Sequence, residues 1–152
     1  MPEGMTPAIP QGSLLAFDFG TKRIGIAIGN TISCTTRPLV TLHDESNEAR
    51  FAAIGSLLRE WQPAALVVGL PCNEDGSPHD MTRLSQRFAN RLKGRFNLPV
   101  ILVDERYTSA VAGIELERAG IRGQAQKPML DQVAAQQILQ AYFDEPSAGR
   151  IA

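Results

Sequence analysis

Four acidic residues stand where a chain of this kind could do chemistry: Asp18, Asp104, Glu105 and Asp131. Asp18 interrupts the apolar stretch "LLAFDFGTKRIGIAIG" (Leu14 to Gly29). A carboxylate there is costly if it is buried without a partner. Asp104 and Glu105 close the apolar run "VILVDE", and Asp131 precedes "QVAAQQILQAY". Counted forward from Asp131, Ala134, Ala135, Ile138, Leu139 and Tyr142 recur at helical spacing. Asp131 therefore falls on the stripe that faces the core, and the two alanines allow that helix to approach a sheet closely. Carboxylates that converge repel one another. Hard divalent cations such as Mg²⁺ and Mn²⁺ relieve that repulsion because they prefer oxygen ligands. Two such ions about 3.5–4 Å apart can clamp the attacking and leaving oxygens of a phosphoryl displacement. On this reading Asp18 is a metal ligand. The plainer readings are a turn acceptor at Asp18, a helix-dipole partner at Asp131 and a surface pair of Asp104 with Arg106.

Adjacent strand residues face opposite sides of a sheet, so Asp104 and Glu105 cannot both join one site. The apolar "VILV" before them does not choose between the two. Basic residues cluster locally. Lys22 and Arg23 follow Asp18, Arg106 follows Glu105, and Arg122 and Lys127 flank the segment before Asp131. Arg83, Arg87, Arg91 and Arg95 fall at four-residue intervals and form one stripe on a helix. That stripe is either a solvated face or a track for phosphates. His43 and His79 lack metal-ligand spacing and read as surface residues. Trp61 reads as a packing residue at a helix end.

These residues must be positioned by the elements around them. "SLLAFDFG", "RIGIAIGN" and "TTRPLVTL" read as three strands of an antiparallel meander, the first two joined by a tight turn at Gly20. Pro38 pushes the third strand toward a sheet edge. Asn47 to Trp61 has helical spacing of Phe51, Ile54, Leu57 and Leu58, and Met81, Leu84, Phe88 and Leu92 mark a second helix. "AALVVGLP" and "LPVILVDE" read as buried parallel strands. Thr108 to Arg118 and Met129 to Phe143 read as further helices, with "GIRGQAQKP" as a flexible basic connection. The expected architecture is α/β: a mixed five-stranded sheet, three antiparallel strands then two parallel, flanked by helices with right-handed crossovers.

The chain has 152 residues, 43% hydrophobic and 20% charged, which suits one soluble domain. Residues 13–145 form that domain, between a Pro- and Gly-rich tail of residues 1–12 and a C-terminal tail of residues 146–152. No apolar run approaches a membrane span. The N-terminal stretch lacks the pattern of a signal peptide. Cys34 and Cys72 read as free thiols of a cytoplasmic protein. The net charge of -1 excludes a global basic footprint, so an anionic partner must be held by local patches or a metal.

"LLAFDFGTKRIGIAIG", "LVVGLPCNEDGS", "VDERYTS" and "KPMLDQVAAQQILQAYFD" together resemble the YqgF family, from about Leu14 to about Glu145. Those bacterial proteins are described as Holliday junction resolvases and, later, as pre-16S ribosomal RNA nucleases. The resemblance implies a ribonuclease H-like fold and a metal-dependent nuclease site. Carried over by motif, Asp18, Glu105 and Asp131 become the catalytic and metal-binding carboxylates, which selects Glu105 over Asp104. The implied cofactor is Mg²⁺ or Mn²⁺ in a two-metal site. The substrate-binding set is Lys22, Arg23, Arg106, Arg83, Arg87, Arg91 and Lys127. The implied partner is nucleic acid: precursor rRNA first, in ribosome biogenesis, and branched DNA second. The protein would act as a monomer or homodimer. Two rivals belong to other classes. One is a nucleotide-binding ATPase module, which needs a second such domain. The other is a non-catalytic nucleic-acid-binding protein, which would bind RNA equally well without metal.

Overall fold

The computed structural model describes residues 11–43, 46–72, 77–104, 126–146 and 149–152, with the backbone alone at 126–128. Among these residues six strands form one sheet: β1 (Ser13–Phe19), β2 (Ile24–Asn30), β3 (Thr35–Leu42), β4 (Ala65–Leu70), β5 (Val100–Asp104) and β6 (Arg150–Ile151). Their order is β3-β2-β1-β4-β5-β6. β1, β2 and β3 pair antiparallel, whereas β4 pairs parallel with both β1 and β5. The five expected strands are all present. The sixth comes from the segment read as a C-terminal tail: Arg150 and Ile151 add antiparallel to β5. Two residues with no alternating pattern leave no strand signal in the sequence.

Among the described residues three helices cover the sheet: α1 (Asn47–Trp61), α2 (Asp80–Phe96) and α3 (Gln126–Asp144). α3 starts before Met129, so Lys127 lies in its first turn and not in the connection expected there. Pro128 is tolerated in that turn because the early amide groups of a helix have no internal partner. The helix expected at Thr108 to Arg118 lies outside the described residues.

Strand alternation divides the core in two. Leu15, Phe17, Ile24, Ile26 and Ile28 face α1 and α2, where they pack with Phe51, Ile54, Phe88 and Leu92. Leu14, Ala16, Ala65, Val67, Ile101 and Val103 face α3 and meet Ile138, Leu139 and Tyr142. Burial pushes the Tyr142 phenol above its ordinary range. In "GIAIG" the isoleucines serve the first face and Gly25, Ala27 and Gly29 the second. This all-small row lets α3 lie close on β2.

Polar side chains fix the ends. Ser46 caps α1, its hydroxyl accepting from the Ala49 amide at 3.3 Å. His79, read as a surface residue, is the N-cap of α2: its Nδ1 accepts from the Met81 amide, and its own amide donates to Thr82 Oγ1. Gln132 and Gln136 of α3 donate to Thr41 Oγ1 and the Thr36 carbonyl, tying the helix to β3. β3 is an edge strand, with Pro38 at a register shift opposite Ala27, as the proline demands. Trp61 is a packing residue against the α1 and α2 core, with Arg37 over its ring at 5.2 Å. Cys34 and Cys72 are free. Among the described residues no helix is long and apolar enough to cross a membrane.

Candidate active site

Asp18 occupies the C-terminal end of β1, directly opposite Gly25 of β2. Cross-strand partners point to the same face, here the face covered by α3. Gly25 is in turn the seat of Asp131. A β-carbon at Gly25 would lie 2.0 Å from the Asp131 carbonyl oxygen and 2.8 Å from its Cβ. Asp18 of the strand and Asp131 of the helix are therefore both set against one glycine. On the other flank of β1, Gly69 continues the α3-facing set Ala65 and Val67 of β4. Asp18 is therefore flanked by glycines on the two neighbouring strands, and the one on β2 is covered by α3.

Arg23 completes the described part of the site. Its Nε donates to Asp131 Oδ2 at 2.6 Å, and the side chains are 37% and 19% exposed. The turn makes this possible. Gly20 brings β1 back on itself so tightly that a β-carbon there would lie 2.5 Å from the Arg23 carbonyl oxygen. Arg23, expected to bind substrate, is thus engaged by a carboxylate of the site. Asp131 lies past the first turn of α3, against Gly25, and not at the helix start where the dipole would hold it. Lys22 is exposed in the same turn.

Asp104 ends β5 on the opposite side. Ile101 and Val103 face α3, while Val100 and Leu102 face α1 and α2, so alternation turns Asp104 away from Asp18 and Asp131. Asp104 is also exposed. Glu105 and Arg106 lie outside the described residues, as does the side chain of Lys127. Among the described residues no third His, Cys, Asp or Glu joins the two aspartates.

The arginine stripe of α2 divides. Arg83 pairs with Asp80 at 2.9 Å on the exposed surface. Arg87 and Arg91 instead line a pocket with Phe19 and Arg50, on the side of the sheet away from α3. Arg50 escaped the reading of the sequence. Its only signal is position, one residue before Phe51 and four before Ile54, beside the apolar stripe of α1.

The donor chemistry at Asp18 and Asp131 fits a hard divalent cation, since both offer carboxylate oxygen and one already holds a guanidinium. A mixed sheet with helices on both faces and carboxylates over its strand ends defines a protein of the ribonuclease H-like class. A solved structure agrees: Thermus thermophilus RuvC in complex with a Holliday junction substrate, with a TM-score of 0.56 at 14% identity, covering 93% of this chain and all of that one. The chain belongs to the family described as RuvX, Holliday junction resolvase, whose model matches residues 12–145. This is the YqgF family that its motifs resemble. A relative from Dechloromonas aromatica is 58% identical over 135 residues, covering 89% of this chain and 92% of its own length. Another, from Chromobacterium violaceum, is 58% identical over 133 residues, covering 87% and 97%. Both carry the name "Putative pre-16S rRNA nuclease".

Proposed function

We propose that this chain is a divalent-metal-dependent nuclease that hydrolyses phosphodiester bonds, with precursor 16S rRNA as its substrate in ribosome biogenesis. The observation that carries this reading is the setting of Asp18 and Asp131 against one glycine, Gly25. Membership in the RuvX family and the names of relatives more than half identical to this chain support the reaction class and the substrate. Asp18, Asp131 and Glu105 would hold Mg²⁺ or Mn²⁺. The turning away of Asp104 supports Glu105 as the third ligand. When bound, a pair of such ions supplies an activated water and stabilises the leaving oxygen.

The remaining residues position and neutralise. Arg23 holds the Asp131 carboxylate in place and offsets its charge. Lys22, exposed in the turn after β1, would steady the phosphate at the reacting bond, with Arg106 and Lys127 as further candidate cations. Branched DNA is the second candidate substrate, favoured by the likeness to a resolvase bound to its junction.

The test is direct. Purified protein is incubated with labelled precursor rRNA and with four-way junction DNA, with and without Mn²⁺. Metal-dependent cutting of the RNA supports the reading. Cutting of the junction alone moves the substrate to DNA. No cleavage of either, with RNA binding unchanged by Asp18→Asn or by chelator, returns the chain to a non-catalytic binding protein. Saturable ATP binding would favour the nucleotide-binding module.

A further inference from the structure

The sheet ends at β6, and this short strand forms a groove of about 430 Å³ with α2. Arg150 pairs across the strands with Leu102, whose side chain faces α1 and α2, so Arg150 points to that same face. Arg83, Gln86, Arg87 and Asn90 line the opposite wall, three and four residues apart on α2. The two walls are fastened together. The Ala152 amide donates to the Val100 carbonyl at 2.8 Å, and Lys93 Nζ of α2 donates to the Ala152 carbonyl at 2.6 Å.

The charge in this groove has one sign. Its lining includes no carboxylate among the described residues. Asp80 engages Arg83 from outside the groove, whereas Arg87 and Arg150 have no ion-pair partner among the described residues. Two guanidinium groups held on one groove by separate elements suit a ligand that carries several anions along its length. Their planar forks of N–H donors match phosphate oxygens. An amide pair lies on the same wall as Arg87. Gln86 Nε2 donates to Asn90 Oδ1 at 3.2 Å, which leaves Gln86 Oε1 as an acceptor and Asn90 Nδ2 as a donor. A hydroxyl that donates and accepts satisfies both. RNA carries such a group, the 2′-hydroxyl, beside each phosphate, and DNA lacks it. Arg87 also borders the pocket at Phe19, the residue after Asp18, so the groove leads toward the end of β1.

We propose that the groove between α2 and β6 holds the sugar-phosphate backbone of an RNA strand away from the reacting bond. Arg87 and Arg150 take its phosphates, and Gln86 and Asn90 take a 2′-hydroxyl. That the strand is the one to be cut rests on the nuclease reading; the binding of RNA by the groove does not.

The experiment uses the full chain in excess chelator, so that the carboxylate site contributes no metal. Fluorescence anisotropy measures binding of a labelled single-stranded RNA, and of DNA of the same sequence, across a salt series. Four variants are compared with the native protein: Arg150→Gln, the double variant Arg87→Gln with Arg150→Gln, Asn90→Ala, and Arg59→Gln. The last makes the same charge change on α1, away from the groove. All four side chains are exposed, and circular dichroism confirms that the helices are retained. The double variant should bind RNA at least about tenfold more weakly. Its slope of log K against log salt should flatten by about 1.4, which is two phosphate contacts on a single strand, and that of Arg150→Gln by about 0.7. Arg59→Gln should change neither. Asn90→Ala should lose the preference for RNA over DNA. Unchanged binding in the double variant, or an equal loss in Arg59→Gln, overturns the proposal. A preference for RNA that survives Asn90→Ala overturns the assignment to RNA. Polyglutamate that binds as tightly as RNA, with the same dependence on Arg150, would make the occupant an acidic protein and overturn the proposal as well. Cleavage with Mn²⁺ is measured on the native protein in parallel. Binding that depends on Arg150 without cleavage would sink the nuclease and leave the groove, whereas cleavage with binding indifferent to Arg150 would do the reverse.

Discussion

The backbone of Asp131 rests on Gly25, where a β-carbon would stand 2.0 Å from the Asp131 carbonyl oxygen. Because Gly25 is also the cross-strand partner of Asp18, one missing side chain sets the approach of α3 to the sheet and places Asp131 on the strand position opposite Asp18. Gly25→Ala must therefore push α3 outward. We expect a loss of about 2–3 kcal/mol in urea unfolding, the cost of overpacking a close contact. Stabilisation by Mn²⁺ should be lost as well. Native stability with the full metal response would show that the seat is not needed.

Asp18→Asn keeps the size of the side chain and one of its acceptor oxygens, but removes the charge. The metal-free protein should melt within about 3 °C of the native one, since a change of 1 kcal/mol moves a domain of this size by a few degrees. Cleavage should be abolished. Mn²⁺ stabilises the native fold by mass action and should do so far less in the variant. Equal metal-induced shifts in a melting series would remove Asp18 from the metal site, and a large metal-free loss would make it a structural acceptor of the turn.

Arg23 supplies positive charge to Asp131 before any metal does. Arg23→Gln should cost about 1 kcal/mol in the metal-free protein, the usual scale of a partly exposed ion pair. The shift on adding Mn²⁺ should then exceed that of the native protein, because the metal no longer competes with a guanidinium. Calorimetry of both proteins with and without Mn²⁺ measures the difference. A smaller metal response in the variant would mean that Arg23 orders the site more than it competes with the ion.

Asp104 ends β5 on the face away from Asp18, and Glu105 follows it in the sequence. Asp104→Asn should leave Mn²⁺-dependent cleavage within about twofold, since Asp104 is exposed and turned away from Asp18. Glu105→Gln should reduce it by at least about a hundredfold, the scale on which loss of a ligand or its support acts at metal sites. The reverse ranking, in single-turnover assays, would assign the third carboxylate to Asp104.

Much of this architecture was legible in the sequence because it is local. The period of two in "LLAFDF" and "GIAIG" and the helical spacing from Phe51 and from Asp131 are properties of neighbouring residues. They placed five strands, three of the helices and Asp131 on the inward stripe of its helix. The motifs further named the family and three acids, and chose Glu105 where the apolar run before it could not. What the sequence could not state was which distant residues meet. Gly25 carries no chemistry of its own, and only the packing of α3 makes it the seat of Asp131. Arg23 read as a phosphate ligand until the turn at Gly20 swung it onto Asp131, 108 positions away. The regular arginine stripe of α2 looks uniform along the chain. The fold pairs Arg83 with Asp80 and turns Arg87 and Arg91 toward Arg50 of another helix. Local periodicity sets which side of an element faces inward, but the partners found there are chosen by the order of strands and the closeness of packing, which no single stretch of the chain contains.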